Sequence, residues 1–180
     1  MNVQDFETCL NQLNAVRNDM TLLDNYRFQQ ESNESKQAER LALNIAMYND
    51  FKLSDYSIAK FLFDQELMWR KDKNYYNNAQ DDVDNLYFSA WLLTHYQNIE
   101  NIFDFYELKF IDFDSQCGVD SEFIYCYGIK AIKDYLKKTH HSKSHALTEF
   151  LNEDIESYSD EEINAWRAWK KDYFHGYEYQ

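Results

Sequence analysis

The chain has 180 residues, no proline, only three glycines and a formal net charge of −14, where average usage would give about nine prolines and about thirteen glycines. Aromatics at 18% and hydrophobics at 44% exclude a disordered acidic chain, and the length allows one domain with a real core. Gly118, Gly128 and Gly176 stand alone, which excludes the clustered glycines of a P-loop or a dinucleotide fingerprint.

Apolar spacing is helical almost throughout. Phe6, Cys9, Leu10, Leu13 and Val16 form one face of a first helix, and Ala38, Leu41, Ala42, Ile45 and Tyr48 form that of a second. Between them QQESNESKQ has no apolar anchor and reads as a loop or an exposed helix start. A third helix carries Ile58, Phe61, Leu62, Met68 and Trp69, with Ser54 or Asp55 as its N-cap. KDKNYYNNAQDD, residues 71–82, is a break whose Asn and Asp side chains favour turns. Beyond it, Val83, Leu86, Tyr87, Ala90, Trp91 and Thr94 make a fourth helix. A turn near Asn98 leads to a fifth, with Ile99, Ile102, Phe103, Tyr106 and Phe110.

Residues 110–123, FIDFDSQCGVDSEF, alternate apolar and acidic at their start and then meet a glycine. This pattern fits a short strand but reads better as an ordered loop ending in an N-cap at Asp120 or Ser121. A helix over 121–138 follows, with lysines toward its C-terminal end where they complement the dipole. Another spans 144–157. Ser159 and Glu162 form an S-x-x-E capping box before Ile163, Trp166, Trp169 and Tyr173. The expectation is an all-α protein with 1–180 as a single helical domain of about eight helices, in an irregular bundle or as stacked helix pairs.

The acidic charge is segregated. Residues 74–122 hold ten acids and one base, Lys109, and residues 146–166 hold seven acids and no base. Between them, residues 123–145 hold five lysines and a single acid, Asp134. Like charges so grouped repel one another, and a basic partner would offset that cost and be steered in by it. Charged helix faces are more commonly just solvated. Direct nucleic-acid binding is disfavoured, because phosphate contact depends on Lys and Arg.

Chemistry is thinly signalled. The chain has no Glu-x-x-His pair for a di-metal bundle. His141, His145 and Glu149 share helical spacing, but KKTHHSKSH reads as a solvated connector. There is no G-x-S-x-G elbow. Cys9 and Cys126 fall on apolar faces, and Cys117 sits beside Gly118 among acids that suppress a thiolate. Asp112 and Asp114 resemble a paired-carboxylate site only weakly, and His95 reads as an ordinary half-buried or surface histidine. Three cysteines without a CxxC fit a reducing compartment. MNVQDFETCLNQL lacks the layout of a secretory signal, and no stretch approaches about 20 apolar residues. The expectation is a cytoplasmic protein with no cofactor, no metal and no membrane contact.

Residues Asp82–Leu136 carry a resemblance. NLYFSAWLLTHYQ, the Phe113–Asp120 loop with its Phe-Asp-x-x-Cys-Gly-Val-Asp pattern, and the helix after it resemble a family of small helical bacterial immunity proteins. These accompany polymorphic toxins, including those of contact-dependent growth inhibition. The resemblance covers about a third of the chain, and no functional residue is carried over from it. It implies a non-enzymatic inhibitor that binds a cognate toxin domain, a basic nuclease in many such systems, and covers its active or substrate-binding site. Under that reading the contact falls on Asp112, Asp114, Asp120 and Glu122 with the nearby edges at Asp81, Asp82, Asp84, Glu100 and Asp104. Glu149–Glu162 is the second choice of surface. The alternatives are a small helical enzyme using Cys117, His95 or carboxylates, and an acidic adaptor for another basic protein.

Overall fold

The computed structural model describes residues 3–29, 36–72, 83–153 and 158–178. Among them every regular element is helical, with ten α-helices and four 3-10 turns and no strand. The chain forms two compact units, Met1–Tyr96 with Phe174–Gln180, and Gln97–Tyr173.

The first unit contains α1 (Val3–Asn18), α2 (Gln37–Asn49), α3 (Tyr56–Lys71) and α4 (Val83–Thr94). Helix α2 is in contact with α1, α3 and α4, and α3 pairs with α4. Leu13 and Val16 of α1, Leu43 and Met47 of α2, Leu62 and Phe63 of α3, and Leu86, Phe88 and Leu92 of α4 are buried. Full burial of such side chains contributes about 1.5–3 kcal/mol each. The chain returns at its end: Phe174 packs on Phe88 at 5.2 Å between ring centres, and the Asn49 amide donates to the Tyr177 carbonyl at 2.8 Å.

Polar side chains also enter this core. The buried face of α2 departs from the expected stripe, in which Ile45 is buried, Leu41, Ala42 and Tyr48 are half-buried and Ala38 is exposed. It runs Gln37, Arg40, Leu43, Asn44 and Met47, all buried. Arg40 donates to Glu66 of α3 at 2.7 Å, with both side chains 0% exposed, and Gln37 donates to the same carboxylate at 2.8 Å. Asp55 sits at the N-terminus of α3 without a side-chain capping bond. Its carboxylate instead accepts from Arg17 at 2.6 Å, and Arg17 also reaches Asp50 at 2.5 Å. Met68, assigned to the apolar stripe of α3, is 53% exposed. The expected loop 29–37 and the break at 71–82 lie largely outside the described residues.

The second unit contains α5 (Ile102–Lys109), α6 (Phe113–Gly118), α7 (Glu122–Tyr125), α8 (Ile129–Leu136), α9 (Ser144–Glu153) and α10 (Asp160–Tyr173). Helix α5 touches α6, α7 and α9, while α7 meets α10 and α8 meets α9. A ring series runs through its core, with Phe105 to Phe123 at 5.7 Å and Phe123 to Trp166 at 5.1 Å.

Two expectations are corrected in this unit. The single helix over 121–138 is two, α7 and α8, parted where Gly128 takes φ +82°; that left-handed region suits glycine and interrupts a helix. The loop over 110–123 contains α6. Other local readings are met. Asn98 accepts from the Glu100 amide at 3.1 Å and starts the turn before α5. Ser159 and Glu162 form the capping box, with the Ser159 amide donating to the Glu162 carboxylate at 2.6 Å. In α10, Trp166 and Ile163 are buried, but Trp169 is 51% exposed and Lys170 takes the inner position.

Candidate interaction surface

The acid-rich stretch of the second unit is organised around its one base. Lys109 ends α5 and is buried. Its ammonium donates to the backbone carbonyls of Val119 at 2.8 Å and Gln116 at 3.1 Å. A six-residue helix cannot hold itself together in water, so this lysine supplies tertiary support at the C-terminal end of α6. At the other end Asp112, in extended conformation, accepts from the Ser115 amide at 2.7 Å, a standard N-cap bond. The Val119 amide closes the helix on the Ser115 carbonyl at 2.9 Å.

This explains why α6 was unreadable as a helix. Its stabilisers are one cap and one lysine from the preceding helix, and periodicity sees neither. The consequence for the surface is direct. Lys109 points its charge at backbone oxygens inside the unit, so within 97–122 the exposed side chains include no base.

The expected contact acids have different situations. Glu100 and Asp114 are exposed, while Asp104 and Glu122 are half-buried. Asp112 is the helix cap just described. Asp120 is an internal partner: it accepts from the Trp166 indole at 2.9 Å and pairs with the buried ammonium of Lys170 at 2.8 Å. Lys170 also lies 5.5 Å from the Phe123 ring centre. Asp112 and Asp120 therefore serve the fold directly. Asp84 belongs to α4 of the first unit. Asp81 and Asp82 lie outside the described residues.

Sequence reasoning missed the aromatic part of this surface. Phe113, the first residue of α6, is 77% exposed, and Phe110 is 37% exposed. Phe110 leans on Tyr106 with ring centres 4.7 Å apart and meets Phe150 of α9 edge-on at 5.4 Å. These rings with Lys109, Gln116 and Glu149 line a groove of about 550 Å³. Burial, and then the nearby Glu149 carboxylate, raise the Tyr106 phenol above its ordinary pKa. Glu149 itself is exposed and 3.2 Å from His145 one turn earlier. An alternation of Phe and Asp at 110–114 was the only signal in the sequence, and alternation cannot tell which ring faces water.

The second-choice acidic surface begins at this groove, with Glu149, and reappears at Asp160, Glu161 and Glu162 in the first turn of α10. Residues 154–157 lie outside the described ones. A second cleft of about 490 Å³ is bordered by Gln97, Tyr127, Asp160, Asn164 and Arg167. There Arg167 donates to the Cys126 carbonyl. Burial pushes the Cys126 thiol up to about 12, so it stays protonated at neutral pH and is no nucleophile.

The remaining candidates for chemistry are distributed as follows. His141 stacks on Phe103 at 3.8 Å. Among the described residues no group of three or more His, Cys, Asp or Glu is arranged to hold a metal ion. Cys117 is exposed on α6 of the second unit, whereas His95 belongs to the first, where its Nδ1 lies 2.9 Å from the Trp91 carbonyl. No described helix is long and apolar enough to cross a membrane.

Fold and surface together define a class: an all-helical acidic protein with an aromatic groove beside exposed carboxylates. No protein-family model, no curated protein and no solved structure matches the chain.

Proposed function

We propose that this protein is a binding protein, without chemistry or cofactor of its own, whose partner is a basic protein. In its specific form the reading is an immunity protein acting in the cytoplasm. It captures a cognate toxin domain of nuclease type and covers the active or substrate-binding site.

The observation that carries the reading is the inward turn of Lys109. It leaves residues 97–122 with no surface base of their own, Glu107 being paired with Lys143 from beyond the stretch, while Glu100 and Asp114 face solvent. A field of one sign raises the association rate with a partner of the opposite sign, and more so at low ionic strength. Fast capture suits an inhibitor that must meet a toxin before it turns over. The exposed rings of Phe110 and Phe113 add the aromatic contact area that hot spots favour.

Co-expression with a candidate cognate toxin domain of nuclease type tests the reading. Restored growth together with co-purification is expected. Continued killing, with no complex recovered, would sink it.

A further inference from the structure

The electrostatic reading says which partner approaches, but not what holds it. The groove beside α6 answers that separately. Phe113 and Gln116 are one turn apart on α6, so they share a face, and Gln116 lines the groove between α5, α6 and α9. Phe113 is the exposed ring of α6, three residues after Phe110 in the chain. The helix presenting it is pinned at both ends, by the Asp112 cap and by Lys109. A large side chain held in water on a pre-formed turn loses little freedom on binding.

The margin of this apolar strip is acidic. Asp112 and Asp114 flank Phe113 in the chain, and Glu149 stands beside Tyr106 on the α9 side. The single base that lines it, Lys109, is turned to backbone carbonyls. We infer that the strip formed by Phe113 and the Tyr106–Phe110–Phe150 groove is the anchoring site for a basic amphipathic segment of the partner. One or two apolar side chains of that segment enter the groove or cover Phe113. Its lysines and arginines meet Asp114 and Glu149 at the rim. This rests on the proposal that the partner is basic and adds that the hold on it is apolar.

Two synthetic peptides of equal length and equal positive charge test this, one with Leu at helical spacing among its lysines and one with Ser at those positions. Calorimetric titration of the full chain should show the Leu peptide binding at least about tenfold more tightly. Phe113→Ser should remove about that factor for the Leu peptide only. Its exposure leaves the fold intact, which circular dichroism and thermal melting verify. Glu149→Gln should weaken both peptides by a few-fold and reduce the salt dependence. Equal affinities for the two peptides in the wild-type chain would overturn the inference. So would a concentration-dependent dimer in sedimentation that Phe113→Ser abolishes, since a second copy would then be the occupant. If peptide discrimination holds while co-expression fails to protect cells, the groove stands and the toxin reading falls.

Discussion

The two units carry the same formal charge, sixteen acids and nine bases each, and use it in different ways. The first unit draws charge into its core. Arg40 and Glu66 pair at 0% exposure with Gln37 beside them, and Arg17 bridges Asp50 and Asp55. Acids there are answered by bases across helices. The second unit takes lysines inward, Lys109 to backbone carbonyls and Lys170 to Asp120, and leaves exposed acids without an exposed base among residues 97–122. Net charge therefore says little about a protein until the partner of each charge is known. In both units ion pairs join elements, Lys170 to Asp120 and Lys143 to Glu107 in the second, but there residues 97–122 show no exposed base of their own.

The difference can be broken most severely in the first unit. Arg40→Ala or Glu66→Ala strands a charge in a dry core and should cost about 3–5 kcal/mol, read as a lowered urea midpoint. The double change Arg40→Met with Glu66→Leu should recover most of that loss, because well-packed apolar groups replace such pairs at little cost. If the double variant is as unstable as the singles, the buried pair is not what makes the single changes costly.

Lys109→Met is the corresponding change in the second unit. It removes charge-assisted hydrogen bonds to two carbonyls, at about 2 kcal/mol. Hydrogen exchange should quicken at the amides of α6 before those of α5. Uniform quickening across the unit would contradict a local bracing role.

Gly128→Ala is milder. Nothing lies within 4 Å of an added Cβ, but φ is +82°, so the cost is backbone strain alone, about 1 kcal/mol. Gly128→Asn should cost about as much, because ψ is 128° and the left-handed helical conformation that Asn enters has ψ of about +47°.

The smallest effect depends on pH. Hydrogen bonds from Arg17 and then Lys52 hold the Asp50 carboxyl below the usual Asp value. A carboxyl with a depressed folded pKa contributes stability that is present above its unfolded value, about 3.9, and is lost as pH falls through the lower folded value. Asp50→Asn should therefore be less stable than wild type near neutrality, with the gap closing in acid. Urea midpoints at the two ends of that range check it, and a constant gap would mean that the Asp50 charge is not the cause.

Much of the helical architecture is legible from spacing. Phe6–Val16 lies within α1, the run from Val83 to Thr94 is α4, and the Ser159–Glu162 capping box starts α10. These elements declare themselves through local signals within one helix. What is not legible depends on residues distant in the chain. Arg40 looks like a surface residue until Glu66, on another helix, accepts its charge. Asp120 looks like a surface acid until Trp166 and Lys170 close on it. The candidate surface divides in the same way. Its acidity is plain in composition. The exposure of Phe113, the burial of Lys109 and the structural duties of Asp112 and Asp120 all follow from tertiary packing around α6.

The central claim is that exposed acids of the second unit serve binding and not folding, and Glu100→Lys with Asp114→Lys tests it most directly. Stability and affinity for a candidate cognate toxin domain would be measured on the same preparation. Glu100→Lys should move stability by no more than about 0.5 kcal/mol and Asp114→Lys, in the first turn of α6, by up to about 1 kcal/mol, while affinity falls at least about tenfold and its salt dependence weakens. Unchanged affinity in a folded double variant would contradict the account.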